Sequence, residues 1–224
     1  MKVILIMAMT LDGKIARHPM EPVDWTGKAD KKKFVKITKK AGAVIMGSTT
    51  FDTIGKILPD RKNIVMTRDP TRLAMHSNPS GSMQNLNKSI DSLADRNFAA
   101  DSTENESTDP TGIEGSEAAY GGGSAYGIRS TENGTLEFTD KTPQEILQSL
   151  EKEGFESVAL IGGSIINSLF AKEHLVDEIY VTLVPKLFGQ GLPLLAGDFD
   201  INLELVEMEK LDEHSILLKY NVIK

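Results

Sequence analysis

The chain has 224 residues, 40% of them apolar, a formal net charge of −7 and no cysteine. This length and apolar content suffice for one large domain, or two small ones, with a buried core. The acidic balance argues against DNA or RNA as the main partner, because no basic face offsets it. The absence of cysteine excludes disulfides, thiolate zinc sites and cysteine nucleophiles. The four histidines are scattered without metal-ligand spacing, so no metal site is predicted.

The amino-terminal segment supplies the first predicted element. Residues 3–9 form an unbroken apolar run, which is typical of a central strand covered on both faces. Asp12 and Lys14 interrupt the run, which is far too short to cross a membrane, and no small-residue cleavage site follows it. With neither an export signal nor a membrane segment, we expect a cytoplasmic protein without a membrane partner.

Strands and helices alternate along most of the remaining chain. Helix starts are indicated by Thr26 as a cap, and by Thr142 followed by Pro143. In chain order the next predicted elements are a turn at 11–14, a helix at 28–40, a strand at 43–46, a helix at 49–54, a strand at 63–67, a helix at 143–152, a strand at 157–161, a helix at 165–172, a strand at 178–184, and two strands at 203–210 and 215–222. This order predicts an α/β fold with a mainly parallel central sheet and a carboxy-terminal antiparallel hairpin.

One long segment, residues 71–135, does not fit this alternation. Acidic residues accumulate from Asp101 to Glu117 without a Lys or Arg among them, and a Gly-rich stretch follows at 120–127. Such a composition cannot bury enough apolar surface to offset the entropy of ordering it. We therefore predict a single domain over residues 1–224 with a disordered insertion at about 71–135. A small accessory lid or interaction module is the alternative.

Three predicted strand ends carry groups suited to holding phosphate. GSTT at 47–50 and GGSI at 162–165 each join a strand to a helix through glycine, which leaves backbone N–H groups open to an anion. Thr67 and Arg68 follow a third strand, where a guanidinium adds a fork of donors. Neither the GxGxxG fingerprint nor a Walker loop is present. The pattern favours one ligand with several phosphates laid along the sheet edge.

These segments resemble the cofactor half of the dihydrofolate reductase superfamily. The resemblance lies in MGSTTF at 46–51, LPDRKNIVMTR at 58–68 and IGGS at 161–164. LDGKIA at 11–16, LVDEI at 175–179 and VPKLFGQGLP at 184–193 resemble its riboflavin-pathway branch, the reductase domain of the bifunctional deaminase-reductase. The resemblance covers the chain apart from residues 71–135, and it implies a dihydrofolate reductase-like three-layer fold.

The resemblance also implies NADPH-dependent hydride transfer to a carbon–nitrogen double bond. In such enzymes the nicotinamide lies against the first strand and the following loop, here Ala8 and Ile15. Thr67 and Arg68 would hold the phosphate on the adenosine ribose. The implied pyrophosphate-binding residues are Gly47, Ser48, Thr49, Thr50, Gly162, Gly163, Ser164 and Ile165. Because folate enzymes commonly carry a basic residue where this chain has Ser48, a preference for NADPH over NADH rests largely on Arg68.

The substrate half of the site depends on a second spacing. Hydride addition to an imine needs a proton at the nitrogen, which a sheltered carboxylic acid can supply. Trp25, Asp30 and Phe34 are spaced like the folate enzymes' tryptophan, acid and aromatic wall, so Asp30 is the candidate proton relay with Thr182 as its hydrogen-bond partner. The alternative is an acid that only favours the helix dipole. Asp12 either borders the substrate, as in the riboflavin branch, or only shapes its turn.

Two enzymatic functions and one non-enzymatic function remain open. The motif at 184–193 favours a riboflavin-pathway reductase acting on a 5-amino-6-(5-phosphoribosylamino)uracil-like pyrimidine. The Trp25–Asp30 spacing and the 46–68 block favour dihydrofolate reductase, whose substrate is a pteridine. The third reading is a non-catalytic nucleotide-binding protein whose acidic loop recruits partners. The resemblance implies a homodimer for the riboflavin branch, formed through the carboxy-terminal strands, whereas folate enzymes are often monomeric.

Overall fold

A nine-stranded sheet organises the chain in the computed structural model, which describes residues 1–69, 125–131, 134–198 and 200–224. In chain order the strands are β1 (Lys2–Thr10), β2 (Lys14–Ala16), β3 (Ala43–Gly47), β4 (Lys62–Met66), β5 (Ala125–Thr131), β6 (Gly134–Thr139), β7 (Ser157–Leu160), β8 (Glu178–Val184), β9 (Leu192–Pro193), β10 (Leu203–Lys210) and β11 (Ile216–Val222). The helices in the described ranges are α1 (Gly27–Ala41), α2 (Ser48–Ile54), α3 (Pro143–Lys152) and α4 (Ser164–Lys172).

The strand order of the large sheet is β10-β11-β8-β1-β7-β3-β4-β6-β5. All pairings from β8 through β1, β7, β3 and β4 to β6 are parallel. The two edges are antiparallel, with β10 and β11 at one end and β5 at the other. The predicted α/β fold with a mainly parallel sheet and a carboxy-terminal antiparallel hairpin is therefore confirmed. Short strands β2 and β9 form a separate antiparallel pair.

The core lies on both faces of the parallel strands, because β3 is buried along almost its whole length. Ala43 and Ile45 belong to one apolar cluster, which includes Leu150 of α3 and Phe170 of α4. Val44, which points to the opposite face, is equally buried. This arrangement gives helix, sheet and helix layers, and it holds the carboxyl ends of β1, β7, β3 and β4 side by side at one edge.

The predicted insertion differs from the structure at its carboxyl end. Residues 125–131, which the sequence assigned to the insertion, form the edge strand β5 and pair with β6. The polar, glycine-rich composition of this stretch does not favour a strand by itself, but hydrogen bonding to β6 stabilises one. Residues 70–124, and therefore most of the predicted insertion, lie outside the described residues.

The start of α1 also differs in detail from the sequence prediction. Thr26 occupies the N-cap position, but its backbone is already helical and its side chain makes no capping hydrogen bond. The reason is that a capping side chain needs an extended backbone at the N-cap. By contrast, Thr142 is extended and forms a complete capping box with Glu145 at the start of α3, with Pro143 in the first turn. That predicted helix start is confirmed.

Candidate active site

Two glycine turns meet at the carboxyl edge of the sheet. Gly47 ends β3 and precedes α2, whereas Gly162 and Gly163 lie between β7 and α4. Because β3 and β7 are parallel neighbours, the turns lie side by side. The Gly47 N–H donates a hydrogen bond of 2.8 Å to the Gly162 carbonyl oxygen. The structure thus joins the two segments that the sequence placed 115 residues apart (47 to 162) into one surface.

Glycine is required at these turns by space and by backbone conformation. Gly162 has a φ of +101°, and a Cβ there would lie 3.1 Å from the Met7 sulfur. A Cβ at Gly163 would lie 3.3 Å from the Thr50 hydroxyl oxygen, and one at Gly47 would lie 3.0 Å from Ile166. Larger residues would fill the surface that a ligand backbone or phosphate would otherwise approach.

The start of α4 offers unpaired donors on that surface. Its N-cap, Gly163, has an extended backbone and no side chain to satisfy the first-turn N–H groups. The adjoining Ser164 is buried, and its hydroxyl has no hydrogen-bond partner among the described residues. A buried unpaired hydroxyl is costly, and it sits beside helix N–H groups that favour an anion. Ile165, the next residue, is largely exposed. This donor set fits the pyrophosphate of a dinucleotide.

The third predicted phosphate group lies on the strand next to β3. Thr67 directly follows β4 and is fixed by its N–H, which donates to the Thr139 carbonyl at 2.9 Å. Arg68 comes next and is exposed. Within the described part of the chain, its guanidinium makes no ion pair or hydrogen bond with another residue. Ser48 is half-buried and Thr49 is exposed, both in α2. A free guanidinium at this edge suits a phosphate beyond the pyrophosphate.

The predicted nicotinamide-binding residues lie on β1 and β2. Ala8 pairs in register with Thr182 of β8, so the two side chains share one face of the sheet. Ile15 is buried in β2, immediately after the turn at residues 11–14. Thr182 itself is only 2% exposed. The structure therefore brings Ala8 and Thr182 together at the carboxyl end of neighbouring strands.

Asp30 lies in the first turn of α1 and is half-buried. No hydrogen bond joins its carboxylate to Thr182 in the structure, although both residues are described. The hydroxyl of Thr182 comes from a strand, whereas the carboxylate comes from a helix layered on the sheet, and sequence spacing does not set the gap between layers. Phe34, one turn after Asp30, is half-buried on the same helix. Among the residues that the structure describes, the Asp30 carboxylate thus has no ion-pair or hydrogen-bond partner.

An aromatic cluster closes the region in front of α1. The Trp25 and Phe188 rings meet edge to face with centroids 5.1 Å apart. The Arg17 guanidinium lies 3.9 Å from the centroid of the Phe188 ring and also pairs with Glu21. Trp25 Nε1 is buried without a hydrogen-bond partner among the described atoms. The sequence prediction did not include Arg17 and Phe188, because their contact joins distant segments. The only signal in the sequence was that Phe188 lies within the motif VPKLFGQGLP.

Asp12 holds two loops of the site together. Its carboxylate accepts the Thr10 hydroxyl at 2.5 Å, the Gly189 N–H at 2.7 Å and the Phe188 N–H at 3.2 Å. The Thr10 hydroxyl, followed by these backbone N–H groups, lowers the pKa of Asp12 from 3.8 to about 2. With its oxygens occupied in this way, Asp12 fixes the loop that carries Phe188 against the turn after β1.

This network predicts a pH-dependent effect of the Asp12→Asn substitution. A carboxyl whose pKa is depressed on folding adds stability above its unfolded pKa, and this contribution is lost as the pH falls through the folded pKa. Wild type should therefore exceed the variant in free energy of unfolding at neutral pH, and the difference should shrink between pH 3.8 and about 2. Urea unfolding across this range measures it. Asp24→Asn, an exposed neighbour, is the control; a difference that does not change with pH would contradict the network.

Comparison with protein families decides the membership of the chain. A family model described as the RibD C-terminal domain matches residues 1–217. The chain belongs to the RibD C-terminal domain family. The matched range includes the glycine turns, Asp12 and the loop that Asp12 holds, and therefore the whole site described above. The predicted resemblance to the dihydrofolate reductase-like superfamily, and to its riboflavin-biosynthesis branch, is confirmed.

Known proteins extend the comparison. The chain is similar in structure to a Thermotoga maritima deaminase/5-amino-6-(5-phosphoribosylamino)uracil reductase, with a TM-score of 0.63, 19% identity, and coverage of 99% of this chain and 56% of that one. It is also similar to Enterococcus faecalis dihydrofolate reductase complexed with NADP(H), with a TM-score of 0.56, 17% identity, and coverage of 100% and 97%. At these identities the likeness shows the RibD C-terminal chain's dihydrofolate reductase-like fold.

A shorter sequence match is to a dihydrofolate reductase. Over 69 residues the chain is 38% identical to the dihydrofolate reductase of Staphylococcus haemolyticus, a stretch that covers 31% of this chain and 40% of that relative. The match spans less than half of either protein. Within the described ranges of this RibD C-terminal family member, no helix has both the length and the apolar character needed to cross a membrane.

Proposed function

We propose that this protein is an NADPH-dependent reductase of the riboflavin-pathway type. It would add a hydride to the ribose carbon of a carbon–nitrogen double bond in a 5-amino-6-(5-phosphoribosylamino)uracil-like substrate. The observation that carries the proposal is the single surface made by Gly47 and Gly162, joined by their 2.8 Å hydrogen bond in a RibD C-terminal family chain. Titration of the protein with NADPH, followed by cofactor fluorescence, tests the proposal; absence of saturable binding would refute it.

The cofactor half has a residue for each charged part of NADPH. Backbone N–H groups at the start of α4 and the unpaired Ser164 hydroxyl would hold the pyrophosphate. The free guanidinium of Arg68 would hold the additional phosphate on the ribose. Ala8 and Ile15 would provide the apolar wall for the nicotinamide. When bound, NADPH supplies the hydride.

The substrate half supplies a proton and shelter from water. Hydride addition to the carbon of an imine leaves the nitrogen to gain a proton, and we assign the delivery of that proton to the Asp30 carboxyl group. Asp30 has no partner in the described protein that would compete with the substrate. The Trp25 and Phe188 rings lie on the loops flanking this helix start and would exclude water from it. Asp12 acts indirectly, by holding the Phe188 loop in place.

Dihydrofolate reductase is the second candidate function. It is favoured by the 38% identity over 69 residues with the Staphylococcus haemolyticus enzyme and by the Trp25–Asp30 spacing. Both candidates need the same cofactor surface and the same proton donor. They differ in the substrate, so incubation with NADPH and either dihydrofolate or the phosphoribosylaminopyrimidine separates them.

Arg68 provides a separate prediction about cofactor choice. Replacing Arg68 by alanine should weaken NADPH binding by about tenfold to a hundredfold, since a charge-assisted hydrogen bond is worth about 1.5–3 kcal/mol. NADH binding should change little, because NADH lacks the phosphate that the guanidinium would contact. Binding constants for both cofactors measure the ratio. Lys56→Ala, which removes an exposed positive charge near the end of α2, is the control. Equal losses for NADPH and NADH would contradict the role given to Arg68.

We further propose that two copies of the chain associate through β10. This strand is the edge of the sheet, and its residues are almost all exposed. Leu205 and Met208 are 54% and 68% exposed. Exposed apolar side chains on a long edge strand are unusual unless another chain covers them. Light scattering should give the mass of a dimer for the wild-type protein and of a monomer for the Leu205→Lys, Met208→Lys double variant. A monomeric wild type would contradict the proposal.

A further inference from the structure

A groove lined by lysines runs along the outer flank of α1. Its volume is about 710 Å³. Lys28, Lys32, Lys33 and Lys36 of α1 form one wall, and Glu209 and Asp212, at the end of β10 and in the turn after it, stand on the other. None of these residues belongs to the glycine turns or to β4, so the groove is distinct from the surface assigned to NADPH.

Within the described ranges, the acids on the far wall leave three of the four lysines without an ion pair. Glu209 pairs with Lys33. One oxygen of the Asp212 carboxylate accepts the N–H groups of His214 and Ser215, at 2.9 and 2.8 Å, together with the Ser215 hydroxyl. These bonds fix the Asp212 carboxylate in its turn, and it makes no ion pair with the lysines among the described residues. This leaves three ammonium groups, those of Lys28, Lys32 and Lys36, without an ion pair or hydrogen bond to any residue that the structure describes.

The spacing of these three lysines is unfavourable for the helix itself. They stand at positions i, i+4 and i+8, so their charges are neighbours along one face, and like charges at i and i+4 destabilise a helix. All three lysines lie on the exposed side of α1, whereas its buried residues are Thr38 and Ala41. The chain as a whole carries a net charge of −7, so this concentration of positive charge is local. A bound anion would convert the repulsion into attraction.

We propose that this groove binds a small organic phosphate with at least two negative charges. The lysine ammonium group binds phosphate as a compact point charge. Three such groups in a row can bind several negatively charged phosphate oxygens. A volume of about 710 Å³ lies in the range typical of small-molecule sites and exceeds what one inorganic phosphate needs. Leu211 adds an apolar patch on which the organic part of the ligand can rest.

The test compares two charge-matched variants of the full chain by calorimetric titration with inorganic pyrophosphate, after each protein has been saturated with NADPH so that the surface at the glycine turns is occupied. The groove variant carries the substitutions Lys28→Gln, Lys32→Gln and Lys36→Gln. The control variant changes three exposed lysines that do not line the groove: Lys31→Gln, Lys40→Gln and Lys152→Gln. Wild type and control should bind one pyrophosphate with similar affinity, and the groove variant should bind it about tenfold or more weakly. The groove variant should also melt no lower than wild type, because it loses the repulsion along α1.

Several results would overturn the proposal. Wild type could show no saturable binding of pyrophosphate, or both variants could lose affinity equally, which would indicate a response to net charge alone. A single-stranded oligonucleotide that binds through the same three lysines, while pyrophosphate does not, would assign the groove to nucleic acid instead. NADPH titration of wild type and of the groove variant separates the two sites: equal NADPH affinity supports a separate ligand site, and weaker NADPH binding by the groove variant would show that the groove is not distinct.

Discussion

Replacing Gly162 by alanine should weaken NADPH binding by about tenfold to a hundredfold, because strain of about 1–3 kcal/mol is expected at such a site. Gly162 has a φ of +101°, which side-chain-bearing residues rarely adopt, and an added Cβ would lie 3.1 Å from Met7 Sδ and 3.2 Å from its Cε. The turn would have to move, and with it the carbonyl oxygen that accepts the Gly47 N–H. Both glycine turns would then lose their alignment.

Gly154→Ala is the matched control for this substitution. Gly154 also has a positive φ, +89°, but nothing lies within 4 Å of the position that a Cβ would take. It follows α3, which is not part of the proposed cofactor surface. The control should lose a similar amount of stability from backbone strain, yet bind NADPH like wild type. If both variants bind NADPH with wild-type affinity, the Gly162 turn does not form part of the cofactor site.

Replacing Asp30 by asparagine should lower the turnover number by about a hundredfold or more, the range expected for loss of a general acid. Asparagine keeps the size of the side chain but has no acidic proton to deliver to the substrate nitrogen. The affinity for NADPH should remain at the wild-type level, since the proposed cofactor surface uses residues of β1 and β2, the ends of β3, β4 and β7, and the helices α2 and α4, but none of α1. Steady-state rates and NADPH titrations measured on the same preparation separate these effects.

The control for Asp30 is the exposed Asp24 in the loop before α1. Asp24→Asn removes the same charge and should leave turnover unchanged. A wild-type turnover number for Asp30→Asn would remove Asp30 from the reaction and favour the alternative that it only complements the helix dipole. A loss of NADPH binding in the Asp30 variant would instead indicate a structural role at the start of α1.

The surface formed by the two glycine turns was largely predictable from the sequence, because its signals are local. A buried strand followed by glycine and a helix identifies each turn within a few residues, as in GSTT at 47–50 and GGSI at 162–165. Parallel strands then place their carboxyl ends at one edge, which brings the turns together. The sequence did not indicate which atoms would join them, such as the Gly47 N–H and the Gly162 carbonyl.

The region proposed for the substrate was less predictable, because its contacts join distant segments. Asp12 binds the backbone at Phe188 and Gly189, about 176 residues later, and no periodicity reports such a pairing. The predicted capping hydrogen bond of Thr26 was wrong, because the backbone of Thr26 is helical and its side chain does not reach the free N–H groups. The lysine groove could not be predicted from α1 alone, since its far wall comes from the end of β10 and the turn after it.

The most direct test of the central claim is the rate of NADPH oxidation by the purified protein with the phosphoribosylaminopyrimidine substrate, measured beside the rate with dihydrofolate. The proposed function predicts NADPH consumption with the phosphoribosylaminopyrimidine, formation of the ribityl product, and loss of this activity in the Asp30→Asn variant. The proposed function would be contradicted if no oxidation of NADPH occurred with either compound. Oxidation with dihydrofolate but not with the phosphoribosylaminopyrimidine would also contradict it.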